Sequence, residues 1–291
     1  MSGFMTSTTA LKIFAAQVVA PDADNVRQHV FTPTPRPDGK RIGWVGLGDP
    51  LDLDFSFGID HGQFMAFSLR IDERKPSGAA IKIRLAEALK EEAAANEGRV
   101  PRNRKKELKE SITAAVTAKA DYIPSLADCI LDVDAKRLYV ATTSESVLTS
   151  LLELFQQTFG VMPTQLFPQA DMADVFAGLF RESATLDGTE VCANGCSVTL
   201  ATPEQAEDAA QVAVVNNESA VATALEEGLR ITKMALATRK DGEETFFTLS
   251  GDLAITGLKL PKGEKGDEDA TFLLKADTCA QVASIVEALS K

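Results

Sequence analysis

The chain has 291 residues, 30 Lys and Arg against 42 Asp and Glu, a formal net charge of −12, and 45% apolar but only 6% aromatic residues. At about 150 residues per domain, that is one large domain or two ordinary ones. Ordinary apolar content excludes whole-chain disorder, and the want of an apolar run of about 18 residues excludes a transmembrane helix.

The apolar stretch 10–20 has no Lys or Arg before it in the first eleven residues. It therefore reads as a strand over 10–19 and not as a secretory leader, and the expectation is a cytoplasmic protein. Pro21 and Asp22 lead into a helix over 23–31. The loop 32–41, rich in Pro, Thr and Arg, then precedes strands at 42–45, 51–57 and 63–71. After Pro76-Ser77-Gly78 the period becomes helical, with Ile81, Leu85, Ala88 and Leu89 on one face up to Gly98. Pro101 suits the first turn of a second helix, striped with Leu108, Ile112, Ala115 and Val116. The pair predicts a projecting helical hairpin.

Strands at 127–133 and 137–142 follow. Thr142 and Glu145 have the capping-box spacing that opens a helix burying Val147, Leu148, Leu151, Leu152, Phe155 and Phe159 and stopping at Gly160. A helix over 170–180 and a hairpin turned at Asn194-Gly195 lead to strands near 229–238, 244–249 and 253–260. The polar, Gly-rich segment 261–270 reads as a loop, and a last helix after Asp277 buries Val282, Ile285, Val286 and Leu289. The fold class is α+β, with mixed or antiparallel sheets, packed helices and the projecting hairpin. Three regions result: an N-terminal α+β core over 1–75 and 120–170, the hairpin with its basic cluster over 76–119, and a C-terminal α+β region over 171–291.

The four cysteines, Cys129, Cys192, Cys196 and Cys279, are too few and scattered for a disulfide framework. Neither they nor the two histidines, His29 and His61, have metal-finger spacing, so reduced thiols and no metal are expected. Gly46-Leu47-Gly48 lacks the rest of a dinucleotide fingerprint, and no Walker-type loop occurs, so no cofactor is expected.

Residues 98–109 carry Arg99, Arg102, Arg104, Lys105, Lys106 and Lys109 against Glu107 alone. On a helix, Arg102, Lys105, Lys106 and Lys109 fall in one arc beside the Leu108–Ile112 stripe. Clustered cations on an acidic body suit a phosphate backbone, because each neutralised phosphate releases condensed counterions. A solvated helix face with Glu partners is the alternative. With Tyr122 the only nearby aromatic residue, a stacking platform for single strands gains no support.

A metal-dependent nuclease would need converging carboxylates, which 49–61 offers in Asp49, Asp52, Asp54 and Asp60 beside His61. If 51–57 is a strand, Asp52 and Asp54 share a face and could hold a divalent ion. The same alternation describes any half-exposed strand.

Several segments in order resemble the bacterial recombination-associated RdgC family, also catalogued as exonucleases. They are IGWVG at 42–46, RIDERKPSGAAIKIRLAEAL at 70–89, RKKELKESI at 104–112, ILDVDAKRLYVAT at 130–142, FGVMPTQLFP at 159–168, LEEGLRITKMAL at 225–236 and LAITGLKLP at 253–261. The resemblance implies an α+β homodimer that encircles double-stranded DNA with little sequence preference, lines the hole with positive charge and restrains a recombinase in the nucleoid. It implies phosphate contacts from Arg99, Arg102, Arg104, Lys105, Lys106, Lys109 and Lys119, with Lys82 and Arg84 added. Where the family carries Leu-Pro-Arg-Ala-Phe, this chain has 117–122, so Lys119 stands for the arginine and Tyr122 for the phenylalanine of the dimer contact. Ala213-Val214 replaces a Lys-Gln that contacts DNA. The expectation is a non-catalytic DNA-binding protein; the alternatives are a nuclease using Asp52, Asp54 and Asp60, or an acidic dimeric scaffold.

Overall fold

The structure, a computed structural model, describes residues 3–36, 39–96, 98–202, 213–215, 217–263 and 266–291, and of Cys196 and 213–215 the backbone alone. In chain order it runs β1 (Thr8–Ala15), α1 (Ala23–Gln28), β2 (Arg41–Val45), β3 (Asp60–His61), β4 (Phe64–Arg74), α2 (Gly78–Ala95), α3 (Arg102–Lys119), β5 (Tyr122–Asp132), β6 (Arg137–Val140) and α4 (Glu145–Phe159). Next come β7 (Thr164–Gln165), α5 (Met172–Arg181), β8 (Ala184–Leu186), β9 (Thr189–Ala201), β10 (Ala213–Val215), α6 (Glu218–Glu226), β11 (Arg230–Lys240), β12 (Glu243–Ser250), β13 (Ile255–Lys259) and α7 (Glu268–Leu289).

The α+β class is as expected. Among the described residues the strands form a 13-stranded antiparallel sheet in the order β10-β9-β11-β12-β13-β1-β6-β5-β4-β2, with β3 on β4, β7 on β1 and β8 on β9. Two units divide the chain: Met1–Val30, Trp44–Leu69 and Leu126–Lys291 form one, and Phe31–Gly43 with Arg70–Ser125 the other. The hairpin expected over 76–119 falls in the second unit, and residues 171–291 fall in the first.

In the first unit, β1 changes partner along its length. Thr8, Thr9 and Leu11 pair with β13, and Lys12 to Ala15 pair with β6. Lys12, only 2% exposed, stands at the change, and its Nζ lies 2.7 Å from Asp252 Oδ2. Around this strand the core takes in Leu11, Ile13, Tyr139, Phe176, Leu236, Phe247, Phe272 and Val286. Each such side chain contributes about 1.5–3 kcal/mol on burial. On α4, Leu148, Leu151, Leu154 and Phe155 are buried at three- and four-residue spacing, and Gly160, at φ 70°, ends the helix in the left-handed conformation. The cap of α4 is Ser144 without a side-chain bond, not Thr142, whose Oγ1 instead accepts from the Ser144 amide at 3.2 Å.

Several expected elements are corrected. Residues 51–57 form turns, not a strand. Asn194-Gly195 turns no hairpin: β9 runs through it, with Ala193 opposite Leu236 and Val198 opposite Met234. Residues 194–197 therefore bulge out opposite Ala235, with Gly195 at φ 67°. Helix α6 was not foreseen. Helix α7 begins at Glu268, inside the segment read as a loop, because Asp267 caps it by accepting from the Ala270 amide at 2.9 Å. Glu268 and Asp269 belong to its first turn, where acids suit the positive end of the helix dipole.

Cys129 and Cys279 are buried free thiols, and desolvation pushes both up from the ordinary thiol range; Cys192 is also free. The Cys196 side chain lies outside the described residues. No helix among the described residues is long and apolar enough to cross a membrane.

Candidate nucleic-acid interface

The basic run sits on the α2–α3 hairpin of the second unit. Ser77 opens α2, its Oγ accepting from the Ala80 amide at 3.3 Å. The two helices pack together through a thin seam: Ile81, Leu85, Ala88 and Leu89 on α2 and Leu108 and Ile112 on α3 are half-buried, and Val116 is buried. Ala115, expected in the stripe, is exposed. Each helix has 18 residues, about 27 Å at 1.5 Å per residue. Between them Gly98 takes φ 84°, a left-handed conformation open to glycine, and its amide donates to the Ala93 carbonyl at 2.8 Å.

Helix α3 starts after Pro101 with no side-chain cap and no acid in its first turn. That turn carries Arg102, Arg104 and Lys105 instead, followed by Lys106 and Lys109. Cations there oppose the helix dipole. The sequence thus works against the helix and adds side-chain charge to the positive end of the dipole. An anion would relieve both.

At about 100° per residue, Arg102, Lys105, Lys106 and Lys109 share an arc of about 100° on α3. All four are exposed. Lys106 approaches Glu110 at 3.9 Å, whereas Arg102, Lys105, Lys109 and the exposed Arg99 have no ion pair among the described residues. Arg104 differs. Its Nε meets Glu92 Oε1 at 3.1 Å and its Nη1 meets Glu107 Oε2 at 3.2 Å; the Glu92 bond, then the Glu107 bond, hold its guanidinium above the ordinary value.

The remaining basic residues implied by the resemblance lie elsewhere on the hairpin. Lys82 and Arg84 are exposed near the start of α2, roughly 20 Å along the axis from its far end. Two residues apart, they point about 200° from each other, so they do not share a face. Lys119 is exposed in the last turn of α3, where a cation suits the dipole.

Tyr122, expected at a dimer contact, is half-buried within its own unit. Its hydroxyl donates to the Gly39 carbonyl at 3.3 Å. The Arg41 guanidinium lies 3.6 Å and the Arg74 guanidinium 4.7 Å from its ring centroid. Sequence reading passed over both arginines, because they stand outside any charge run. Ala213 and Val214 lie in β10, paired with Leu200 and Thr199 of β9; their side chains lie outside the described residues.

The carboxylates offered for a nuclease do not gather on a strand. Asp52 closes a turn, accepting from the Ser56 amide at 2.7 Å, the Ser56 hydroxyl at 3.0 Å and the Asp54 amide at 3.3 Å. Asp54 is exposed in that turn, and Asp60 is exposed on β3. Among the described residues, no group of three or more His, Cys, Asp or Glu side chains is placed to hold a metal ion.

The family described as "Putative exonuclease, RdgC" matches residues 16–285. The chain belongs to the RdgC family. The RdgC match takes in every element from α1 to α6 and β11 to β13, and most of α7, so it covers the second unit and all of the first but β1 and the two ends of the chain. No curated protein matches the chain.

Proposed function

We propose that this RdgC-family chain is a non-catalytic protein that binds double-stranded DNA without sequence preference, the α2–α3 hairpin meeting its phosphates. The observation that carries this reading is the first two turns of α3, where Arg102, Lys105 and Lys109 are exposed on one arc without an ion pair among the described residues. Contacts of this kind position a duplex without reading its bases. The net charge of −12 requires the cations to act locally, within a Debye length of about 10 Å at 0.1 M salt. A homodimer around the duplex, restraint of a recombinase and residence in the nucleoid complete the reading, by likeness to RdgC.

A gel-shift titration of duplexes of unrelated sequence across a salt series tests it. Equal affinities are expected, with log affinity falling by about 0.9 per log unit of salt for each phosphate neutralised. A flat response, or marked preference for one sequence, overturns the reading. Incubation with end-labelled duplex and Mg²⁺ or Mn²⁺ should leave the DNA intact; shortened products would favour the exonuclease.

A further inference from the structure

The ends of three adjacent strands that lie in the second unit bring together residues far apart in sequence. Arg41 opens β2, Arg74 closes β4 and Tyr122 opens β5, and the order β5-β4-β2 sets these antiparallel strand ends side by side. This is also where α2 departs and α3 returns, and Arg74 Nη1 donates to the Ala118 carbonyl near the end of α3. Both guanidinium groups lie on the Tyr122 ring.

Two like charges on one aromatic ring repel each other. The quadrupole of the ring offsets part of the cost of each cation. What is missing is a counter-charge. Neither Arg41 nor Arg74 has a carboxylate partner among the described residues, and the Nε of each is buried without an acceptor. A buried donor of this kind in a native fold demands a cause. Water does not reach Nε, so what exposure these half-buried side chains keep lies elsewhere along them. An oxyanion would therefore meet the Nη atoms and not Nε, and on Arg74 it would share them with the Ala118 carbonyl, to which Nη1 already donates.

Surrounding charge has the same sign. Lys75 and Lys119 are exposed at the departing and returning ends of the hairpin, and Lys40 lies beside Arg41 in sequence. The carboxylates of these segments are Asp72, buried two residues before Arg74 and held by Arg70 at 2.8 Å, Glu73, 3.8 Å from Lys40, and the exposed Asp121.

We propose that Arg41 and Arg74, held on Tyr122, form an oxyanion site that takes a phosphodiester of the DNA backbone. It is a second contact at the foot of the hairpin, separate from the cations at the start of α3. The inference rests on the DNA-binding reading above and adds to it a built site that no charge run announces. Tyr122 is a positioning residue: its ring orients both guanidinium groups and its hydroxyl ties β5 to the Gly39 carbonyl.

Arginine modification of the full chain by phenylglyoxal, mapped by mass spectrometry with and without duplex DNA, tests the site without relying on any variant to fold. Arg41 and Arg74 should be protected by duplex at low salt and exposed again as salt releases it. If duplex binds and protects Arg102 while Arg41 and Arg74 react as they do without it, the inference fails and the DNA-binding reading stands. If duplex does not bind at any salt, both fail. Protection that grows with protein concentration in the absence of DNA would assign the site to a second copy of the chain and overturn the phosphodiester.

Variants add a second readout. Arg41→Met and Arg74→Met should each reduce the salt slope by about 0.9, the share of one phosphate. Tyr122→Phe, which keeps the ring, should leave the slope at its original value, and Tyr122→Leu should lower affinity. Slopes unchanged in both arginine variants, with far-UV circular dichroism unchanged, would overturn the proposal.

Discussion

Arg104 on α3 donates to Glu92 on α2, Nε to Oε1 at 3.1 Å, and so one cation of the basic run is turned into the hairpin. Its neighbours Lys105 and Lys109 have no such partner among the described residues. Residues read as one cluster therefore have different work. Arg104→Ala should leave the salt slope of duplex binding as it was, whereas Lys105→Ala and Lys109→Ala should each lower it by about 0.9. Replacing both acids that hold Arg104, Glu92→Ala with Glu107→Ala, should raise the slope by releasing it. A slope that drops in Arg104→Ala as far as in Lys105→Ala would show that the internal pair opens on binding.

How much of this was legible in the sequence depends on how local the cause is. Helix α4 was legible because Leu148, Leu151 and Phe155 recur at the helical period and Gly160 ends it. The hairpin was legible for the same reason, with Gly98 and Pro101 between its helices. Asn194-Gly195 misled because β11 supplies ladder partners on both sides of it, at Leu236 and Met234, and the turn is absorbed as a bulge. The early start of α7 was hidden because its polar first turn resembles a loop until Asp267 is seen to cap it. Arg41, Arg74 and Tyr122 had no signal, since only the sheet order brings them together.

Stability should fall in acid partly through Asp252. Burial pushes its carboxyl up, but the hydrogen bond from Lys12 and the charge of that side chain outweigh burial and hold it below the usual carboxylate range. A depressed carboxyl contributes stability that is full above the unfolded value, about 3.9, and is lost as pH falls from there through the folded value. Asp252→Asn should remove that share of the acid dependence. At neutral pH it should cost about 1–3 kcal/mol, because the buried Lys12 loses its counter-charge and keeps only neutral acceptors, the new amide oxygen and the residue 252 carbonyl at 3.4 Å. Urea unfolding at pH 7 and at pH 3.5 measures both effects. A wild-type pH profile in the variant would assign the acid sensitivity to other carboxyls.

Phe272 secures the start of α7. It is fully buried, 4.8 Å from the His61 ring and 5.7 Å from Phe57 between centroids, the second pair edge-on. Phe272→Ala should cost about 3–5 kcal/mol in urea unfolding, the range for a large core aromatic. Asp269→Asn is the contrast. Asp269 meets His61 Nδ1 at 3.4 Å from an exposed position, so its loss should cost at most about 1 kcal/mol. Equal costs would mean that the pair with His61, and not the aromatic packing, anchors the helix.

The carboxylates offered for a nuclease separate by what each one holds. Asp52 closes its turn with bonds from Ser56 and Asp54, and the Gly46 backbone comes so close that a Cβ at residue 46 would collide with the Asp52 carboxylate. The Gly46 amide also donates to the Asp52 carbonyl at 2.8 Å, tying the turn to the end of β2. Asp52→Ala should therefore cost about 0.5–1.5 kcal/mol, since the donors of Ser56 and Asp54 are exposed and turn to water, and the backbone bond from Gly46 remains. Gly46→Ala should destabilise by displacing the same carboxylate. Asp54→Ala and Asp60→Ala, both exposed, should stay within about 0.5 kcal/mol of the parent. Thermal unfolding ranks the four variants. Should Asp54→Ala and Asp60→Ala keep full stability and yet abolish a metal-dependent shortening of duplex ends, the exposed pair would be functional and the nuclease reading would replace the non-catalytic one.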